Sequence, residues 1–401
     1  MRYRLTTVSL LALLVLAPEA VVLRAQTSAD VFNPDTLQEI RLLINTKDLQ
    51  QLRDFYYVNT IYPADLVWRN VRVRNVAVRT HGVASRNPIK LGLTIDIDKY
   101  TTGQTFVGLK GLSLDNLWTD PSMMHDFLAM RFFERMGQPA PRESFARLYI
   151  NNVFQGLYTV IEQVDPDFLM RTLNENAGYL FEYRRQFAWF GEYLGDDPLT
   201  YRPIFEARTR QLEPDGILWG PFRDLFRELN DVNDAVWRDR VEQLIDLPAF
   251  VAHVAIESFL VENDGVIGPA GMNNFFVYRP AGTTRHRWLV WDKDSTFFPD
   301  GLAYSVFERM DTNVLTRRAL SYPDLRSVFL KVAEDCARSA AQDGWLAAEV
   351  DRVAALITDT AHGDSLKQYS NVDFDQHVEL LRQFARTRPD IVLQELASLR
   401  R

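Results

Sequence analysis

Apolar and polar residues alternate over most of Val71 to Arg79, the period-two pattern of a strand with one solvated face. Before it, Leu37 to Ile44 reads as a short helix or strand and Lys47 to Tyr57 as helical. After it comes a polar, turn-forming stretch from Thr80 to Pro88, and Lys90 stands where the next apolar run, Leu91 to Ile97, begins. The period then changes. Asp120-Pro121-Ser122 opens a predicted helix that carries Met124, Phe127, Leu128, Met130, Phe132 and Phe133 and stops after Met136 at Gly137 and Pro139. Phe145 to Ile150 and Val153 to Ile161 form a predicted hairpin, because Asn151 and Asn152 tolerate the positive φ of a two-residue turn. Glu162 to Asp165 leaves that hairpin, and Pro166 to Leu173 starts a helix.

The stretch from Tyr179 to about Trp219 is aromatic and has no clear period. Helices are predicted over Pro221 to Leu229, over Asp234 to Leu244, and from Leu247 through Phe259 and Leu260 into Asn263 and Asp264. Asn274 to Tyr278 and Arg287 to Asp292 are strand-like and form a second hairpin. From Pro323 onward the pattern is helical, most clearly at Leu346 to Ile357 and Val378 to Leu399, and no segment repeats.

Composition narrows the partners. A chain of 401 residues with 47% hydrophobic and 12% aromatic content can bury a large core, as one two-lobed unit or two domains. A formal charge of -8 and the lack of a basic stripe argue against nucleic acid. Met1 to Arg4 is basic and Leu5 to Ala17 is apolar, the pattern of a secretory signal, so residues 1–25 are set apart from the fold. The protein is therefore expected to be exported, as a periplasmic, secreted or envelope-associated protein, and no later segment is long and apolar enough to span a bilayer. Cys336 is the only cysteine, which rules out an intrachain disulfide, and its helical apolar surroundings mark it as a core thiol.

The second hairpin carries the chemistry. Read alone, Asn263-Asp264-Gly265 is the polar stop of an apolar helix. The open end of the hairpin lies near both Asp264 and Asp292, so Asp264, Asn274 (or Asn273) and Asp292 are expected to meet. Hard oxygens of that kind suit a divalent metal and a phosphate: Asp292 and Asn274 would hold the metal, Asp264 would orient an attacking hydroxyl, and Lys90 would reach the phosphates. A lysine at a strand start is otherwise usually a solvated edge residue. Glu162 either contacts a nucleotide or caps the next helix, and Asp126 and Glu134 are alternative partners for Lys90. The six histidines show no zinc-protease spacing, and neither a Gly-x-Ser-x-Gly elbow nor a phosphate-binding Gly-rich loop occurs. Asp292-x-Asp294-x-Thr296 faintly suggests a calcium loop, but Phe297 stands where that loop requires glycine.

These segments resemble the CotH (spore coat protein H) family of secreted atypical protein kinases. The stretch from Arg79 to Lys90 is similar to the family's Arg- and Gly-containing loop ending in Lys. Arg147 to Glu162 resembles its most recognisable segment, and Asn263-Asp264, Asn274 to Tyr278 and Trp291 to Asp294 complete the match over roughly Val71 to Phe298. The resemblance implies an α+β, bilobal, kinase-like fold with a mainly helical C-terminal region. It divides the chain into an N-terminal β-rich lobe with one helix (30–162), a C-terminal catalytic lobe (163–322) and a helical extension (323–401). It also implies ATP with Mg2+ or Mn2+ as cofactors, and Ser/Thr of a secreted or envelope protein as acceptor. By residue it makes Asp264 and Lys90 catalytic, Lys90, Glu162 and Arg79 nucleotide-binding, and Asp292 and Asn274 metal ligands. His81 and Ala84 replace an Arg and a Ser of the family loop, and the interval from Asp264 to Asn274 exceeds the short catalytic loop of ordinary kinases. A second expectation is an envelope or surface-assembly binding module that keeps the fold without turnover. A third, a sugar acceptor, follows from Phe187, Trp189, Phe190 and Tyr193.

Overall fold

The computed structural model describes residues 25–231 and 233–400, so the predicted export signal lies outside the described residues apart from its last position. Seven strands build the first half: β1 (Gln38–Ile44), β2 (Tyr62–Trp68), β3 (Val71–Thr80), β4 (Leu93–Asp96), β5 (Gly111–Asp115), β6 (Glu143–Ile150) and β7 (Val153–Glu162). They close into a barrel in the order β1-β2-β3-β4-β5-β7-β6. The closing pair, β1 with β6, is parallel (Gln38↔Ala146 to Leu42↔Ile150), and the other pairs are antiparallel. Because strand side chains alternate, Ile40, Leu42, Leu66, Trp68, Val76, Val78, Leu93, Ile95, Leu112, Leu114, Leu148 and Val160 fill the interior.

The opposite face of the same strands is polar and runs in one register line. Arg79 pairs with Thr94, Thr94 with Ser113, Ser113 with Ile161, and Ile161 with Glu143, so five consecutive strands present these side chains together. Asn151 and Asn152 turn the β6–β7 hairpin at φ 50° and 66°.

Around the barrel and beyond it lie the helices α1 (Ser28–Val31), α2 (Thr46–Asp54), α3 (His125–Arg135), α4 (Pro166–Leu173), α5 (Asp215–Leu218), α6 (Gly220–Asp231), α7 (Asp234–Val241), α8 (Leu247–Phe259), α9 (Val314–Ala319), α10 (Pro323–Ala341), α11 (Trp345–His362) and α12 (Asn371–Ser398). A four-stranded sheet, β11 (Arg287–Val290), β10 (Phe275–Arg279), β8 (Tyr179–Tyr183) and β9 (Phe205–Ala207) in spatial order, sits among them. The two longer helices of the N-terminal half, α2 and α3, fall on the two stretches whose sequence reads as helical there.

One large apolar core joins α3, α6, α8 and α10–α12 and also takes Phe145 and Leu157 from the outer face of the barrel. Phe132 of α3 stacks on Phe259 of α8 with ring centroids 5.2 Å apart, so α3 belongs by packing to the second half of the molecule. Phe132→Ala is expected to destabilise the fold by about 3–5 kcal/mol, read as a lower urea midpoint at unchanged slope. Cys336 is buried in this core, and burial pushes its thiol well up, as suits a packing residue. Trp189 is also core, stacked on Tyr183 and edge-on to Phe205 and Phe226, which removes it from any sugar platform.

Candidate active site

Helix α8 ends at Phe259, and Val261 turns the chain in the left-handed region (φ 55°). The loop that follows is tied to the segment after β11. The Asn263 amide donates to the Ser295 carbonyl (3.1 Å), and the Phe297 amide donates to the Leu260 carbonyl (2.7 Å). Asn274 (φ 57°) and Asp292 (φ 49°) flank the same end of the β10–β11 hairpin, where Phe275 pairs with Val290. The Asp264 carboxylate accepts from Arg185 Nη1 (2.7 Å), Asn273 Nδ2 (2.9 Å) and Asn274 Nδ2 (3.3 Å). Asp264 and Asn274 thus touch. The Asp292 carboxylate makes no hydrogen bond to either; its neighbour Lys293 donates through Nζ to the Asn274 carbonyl at 2.9 Å.

Lys293 is the centre of a buried network. Its ammonium lies 3.1 Å from Glu257 Oε1, which also contacts His253 Nε2 at 3.0 Å, while Glu257 Oε2 accepts from the Val266 amide at 2.8 Å. Burial opposes the charge on Glu257, but Lys293 and His253 outweigh it and hold the carboxyl down at about 2. Burial pushes the adjacent Glu262 up to about 8 against the pull of Lys293, and Glu262 Oε2 has no hydrogen-bond partner. This network fixes the backbone on both sides of Asp264 and Asp292.

Around Asp292 the two halves of the molecule pool their acids. Asp115 ends β5, Asp120 precedes α3, Asp126 lies on its first turn, Glu143 begins β6, and Asp292 and Asp294 follow β11. Asp126 Oδ1 accepts from the Lys293 amide (2.7 Å), and Thr119 Oγ1 donates to Asp294 Oδ2 (2.5 Å). Asp120 is spent structurally, accepting from the amides of Ser122, Met124 and His125 at 2.7–2.8 Å. Burial raises Asp126 to about 7, despite the Lys293 amide, and raises Glu143 well above the carboxyl range, with Asp126 adding repulsion. Crowding by protein atoms, then the charges of Asp294, Asp126 and Asp115, raises Asp292. Its side chain remains open to water, so the neighbouring charges carry that direction more than desolvation does.

Glu143 is 4% exposed, and its raised carboxyl shares a hydrogen bond with that of Asp126, which pulls Asp126 down against burial. Among the described residues no three acidic or histidine side chains converge in metal-holding geometry. Several carboxylates nevertheless repel one another around Asp292, a concentration of negative charge that a hard divalent cation would relieve.

A group of cations gathers around His81, the neighbour of Asp115. Arg79 of β3 donates to the Thr80 carbonyl, and Arg86 donates to the Gly82 carbonyl and to Asn59 Oδ1. Arg79 feels burial first and then the charges of Arg208, Arg184 and Arg86, all of which lower its pKa. Arg184 and Arg208 have Glu182 and Glu206 within ion-pair range, whereas no carboxylate lies that close to Arg79 or Arg86 among the described residues. Burial and then Arg79, Arg86 and Arg184 hold His81 down at about 4, so it is a neutral neighbour of Asp115, 3.8 Å away.

Two expected nucleotide contacts lie elsewhere. Lys90 is fully buried, and its ammonium donates to Asp364 Oδ2 (2.7 Å) and the Leu157 carbonyl (2.8 Å), which leaves it no open face toward a phosphate. Neither suggested partner reaches it: Glu134 pairs with Arg131 at 2.6 Å, and Asp126 belongs to the acidic group. Glu162 is bound by Arg142 (2.7 Å) and Arg171 (2.5 Å), and α4 is capped by Asp165, so Glu162 neither lines the acidic cleft nor caps the helix. Glu143, Asp115, Arg86, Arg184 and Glu257 escaped the sequence reading. Only Glu257 carried a local signal, as a charged residue inside the apolar run Val254 to Phe259.

The family whose model is described as CotH kinase protein matches residues 78–392, from β3 to α12. The "Inner spore coat protein H" of Bacillus subtilis (strain 168) is 21% identical over 384 residues, covering 92% of this chain and 99% of that protein.

Proposed function

We infer the activity from one premise: this chain belongs to the CotH kinase protein family. From that premise and the cleft, we propose an exported kinase that uses ATP and Mg2+ or Mn2+ to phosphorylate Ser or Thr of envelope or surface proteins, on a two-lobed kinase-like fold. The observation that supports the reading is the nearness of two groups of charge: the carboxylates around Asp292, and the arginines Arg79, Arg86 and Arg184 around His81, which stands 3.8 Å from Asp115. A nucleoside triphosphate with its metal complements both.

In this reading Asp292 would hold the cation, with Asp126 and Asp294 adding negative charge nearby, and Asn274 would offer Oδ1 because its side-chain nitrogen is engaged by Asp264. When bound, the cation supplies neutralisation of the phosphate oxygens. Arg79, Arg86 and Arg184 bind phosphate oxygens as planar, permanently charged donors. Asp264, oriented by Arg185, Asn273 and Asn274, accepts the hydroxyl proton as the acceptor oxygen bonds to the γ-phosphorus and the bond to ADP breaks.

An association with a spore coat or cell envelope is supported by the name of the Bacillus relative. Among the described residues no helix is long and apolar enough to cross a membrane. The alternative, a surface-assembly module without turnover, would keep the cleft and lose transfer. Purified protein incubated with γ-labelled ATP and Mn2+ is expected to label itself, and Asp264→Asn to lose that label. Nucleotide binding with no label in any divalent metal would favour the module.

A further inference from the structure

The C-terminal helices reach both sides of the cleft. Arg388 of α12 is fully buried and donates to the carbonyls of Ser258 (3.1 Å), Phe259 (3.1 Å), Leu302 (3.1 Å) and Tyr304 (2.5 Å). Two of these carbonyls lie on the last turn of α8, just before the chain leads to Asp264. At the other side, the turn between α11 and α12 enters the barrel. Asp364, 1% exposed, accepts from Lys90 Nζ (2.7 Å) and the Leu157 amide (3.0 Å) through Oδ2, and from the amides of Leu366 (2.9 Å) and Lys367 (3.1 Å) through Oδ1.

The seat for this carboxylate is built into β7. Gly156 has φ +112°, and a Cβ there would lie 2.2 Å from Asp364 Oδ2, so only glycine leaves the room. The Lys90 carbonyl accepts from Asn116 Nδ2 at 2.7 Å, next to Asp115 at the end of β5. The same turn reaches the acidic loop from the other direction. Tyr369 Oη donates to the Thr119 carbonyl (3.4 Å), and the Thr119 hydroxyl holds Asp294.

We propose that Asp364 is a positioning residue of the cleft: the C-terminal extension supplies the carboxylate that locks Lys90. Through Lys90 it holds the middle of β7 and the end of β5, and with them Asp115, against the loop bearing Asp292 and Asp294. The inference rests on the phosphotransfer reading above and adds a partner from outside the two lobes. Ordinary protein kinases must form an ion pair between a strand lysine and a glutamate on an N-lobe helix. Here the helix after Lys90 is α3, whose acids Asp126 and Glu134 are engaged elsewhere. The carboxylate comes instead from 274 residues downstream. Helices α11 and α12 are then part of the working unit.

The test exploits the asymmetry of buried pairs. Removing one charge strands the other, whereas replacing both by uncharged residues of similar volume is often neutral for stability. The full chain carrying both Lys90→Met and Asp364→Asn is therefore expected to fold and melt near the wild type. Its affinity for Mn2+ with a non-hydrolysable ATP analogue should fall roughly 10- to 100-fold, as for losses of groups that orient metal ligands. Asp364→Asn alone should lose at least as much affinity. A folded double variant that binds Mn2+ and the analogue within twofold of the wild type would overturn this inference while leaving the phosphotransfer reading intact. Wild-type protein that binds neither would overturn both.

Discussion

Asp292→Asn should lower phosphate transfer by about three orders of magnitude, or about 4 kcal/mol in the barrier, while the metal-free protein melts no lower than the wild type. Asp292 sits among Asp294, Asp126 and Asp115, so removing its charge relieves repulsion in the absence of a cation. Its backbone lies at φ 49°, which asparagine tolerates as well as aspartate, so the loop keeps its shape. The same charge is what a cation would require. Steady-state transfer of label from ATP, with melting curves on the same samples, separates the two effects. A variant with wild-type turnover would remove Asp292 from the site, and one that melts much lower would make Asp292 a structural residue.

The second large effect is a dependence of stability on pH and metal. Asp126 is raised to about 7 by burial, and Glu262 to about 8 by burial. Below their unfolded values both states hold the proton; above them the unfolded chain ionises first, so these groups lose stability as pH rises, until about 7 and 8. His81 and His286, held down at about 4, act in the opposite sense. The unfolded chain binds more protons between about 4 and 6.5, so stability rises with pH there and is flat above 6.5. Between pH 6.5 and 8 only the acids remain, and metal-free protein should lose about 1–2 kcal/mol across that window. Mn2+ binds the deprotonated acids of the cleft, so its stabilisation should grow with pH over the same range. Melting temperatures at pH 6 and 8, with chelator and with Mn2+, check both signs; a metal-induced shift that is equal at both pH values would separate the cation from Asp126.

Much of the local structure was legible because it is written in short periods. The alternation at Val71 to Arg79 is β3, the Asn151-Asn152 pair does turn a hairpin, and the runs around Asn274 and Asp292 do form β10 and β11. The hairpin also explains why Asp264, Asn274 and the Asp292 loop gather at one end. The predicted helix start at Asp120 was early by about a turn. Asp120 folds back onto the amides of Ser122, Met124 and His125, and regular α3 begins only at His125.

What was not legible is what depends on distance along the chain. Closure of the barrel needs the parallel β1–β6 pair, which no local pattern announces. Glu143 looks like an ordinary charged strand start until α3 and the β11 loop are brought over it. Lys90 looked like a phosphate ligand because its true partner, Asp364, sits in an unremarkable turn between two helices. Glu162 reads locally as a nucleotide contact or a helix cap, but Arg142 and Arg171 from either side of it take both oxygens.

The account stands on two neighbouring groups of charge, the acids around Asp292 and the arginines around His81. The most direct test is a crystal structure of the protein with Mn2+ and a non-hydrolysable ATP analogue, with the metal located by its anomalous scattering. Manganese should appear against the Asp292 carboxylate, with the phosphates toward Arg79, Arg86 and Arg184. Manganese and nucleotide bound away from these side chains at saturating concentration would contradict it.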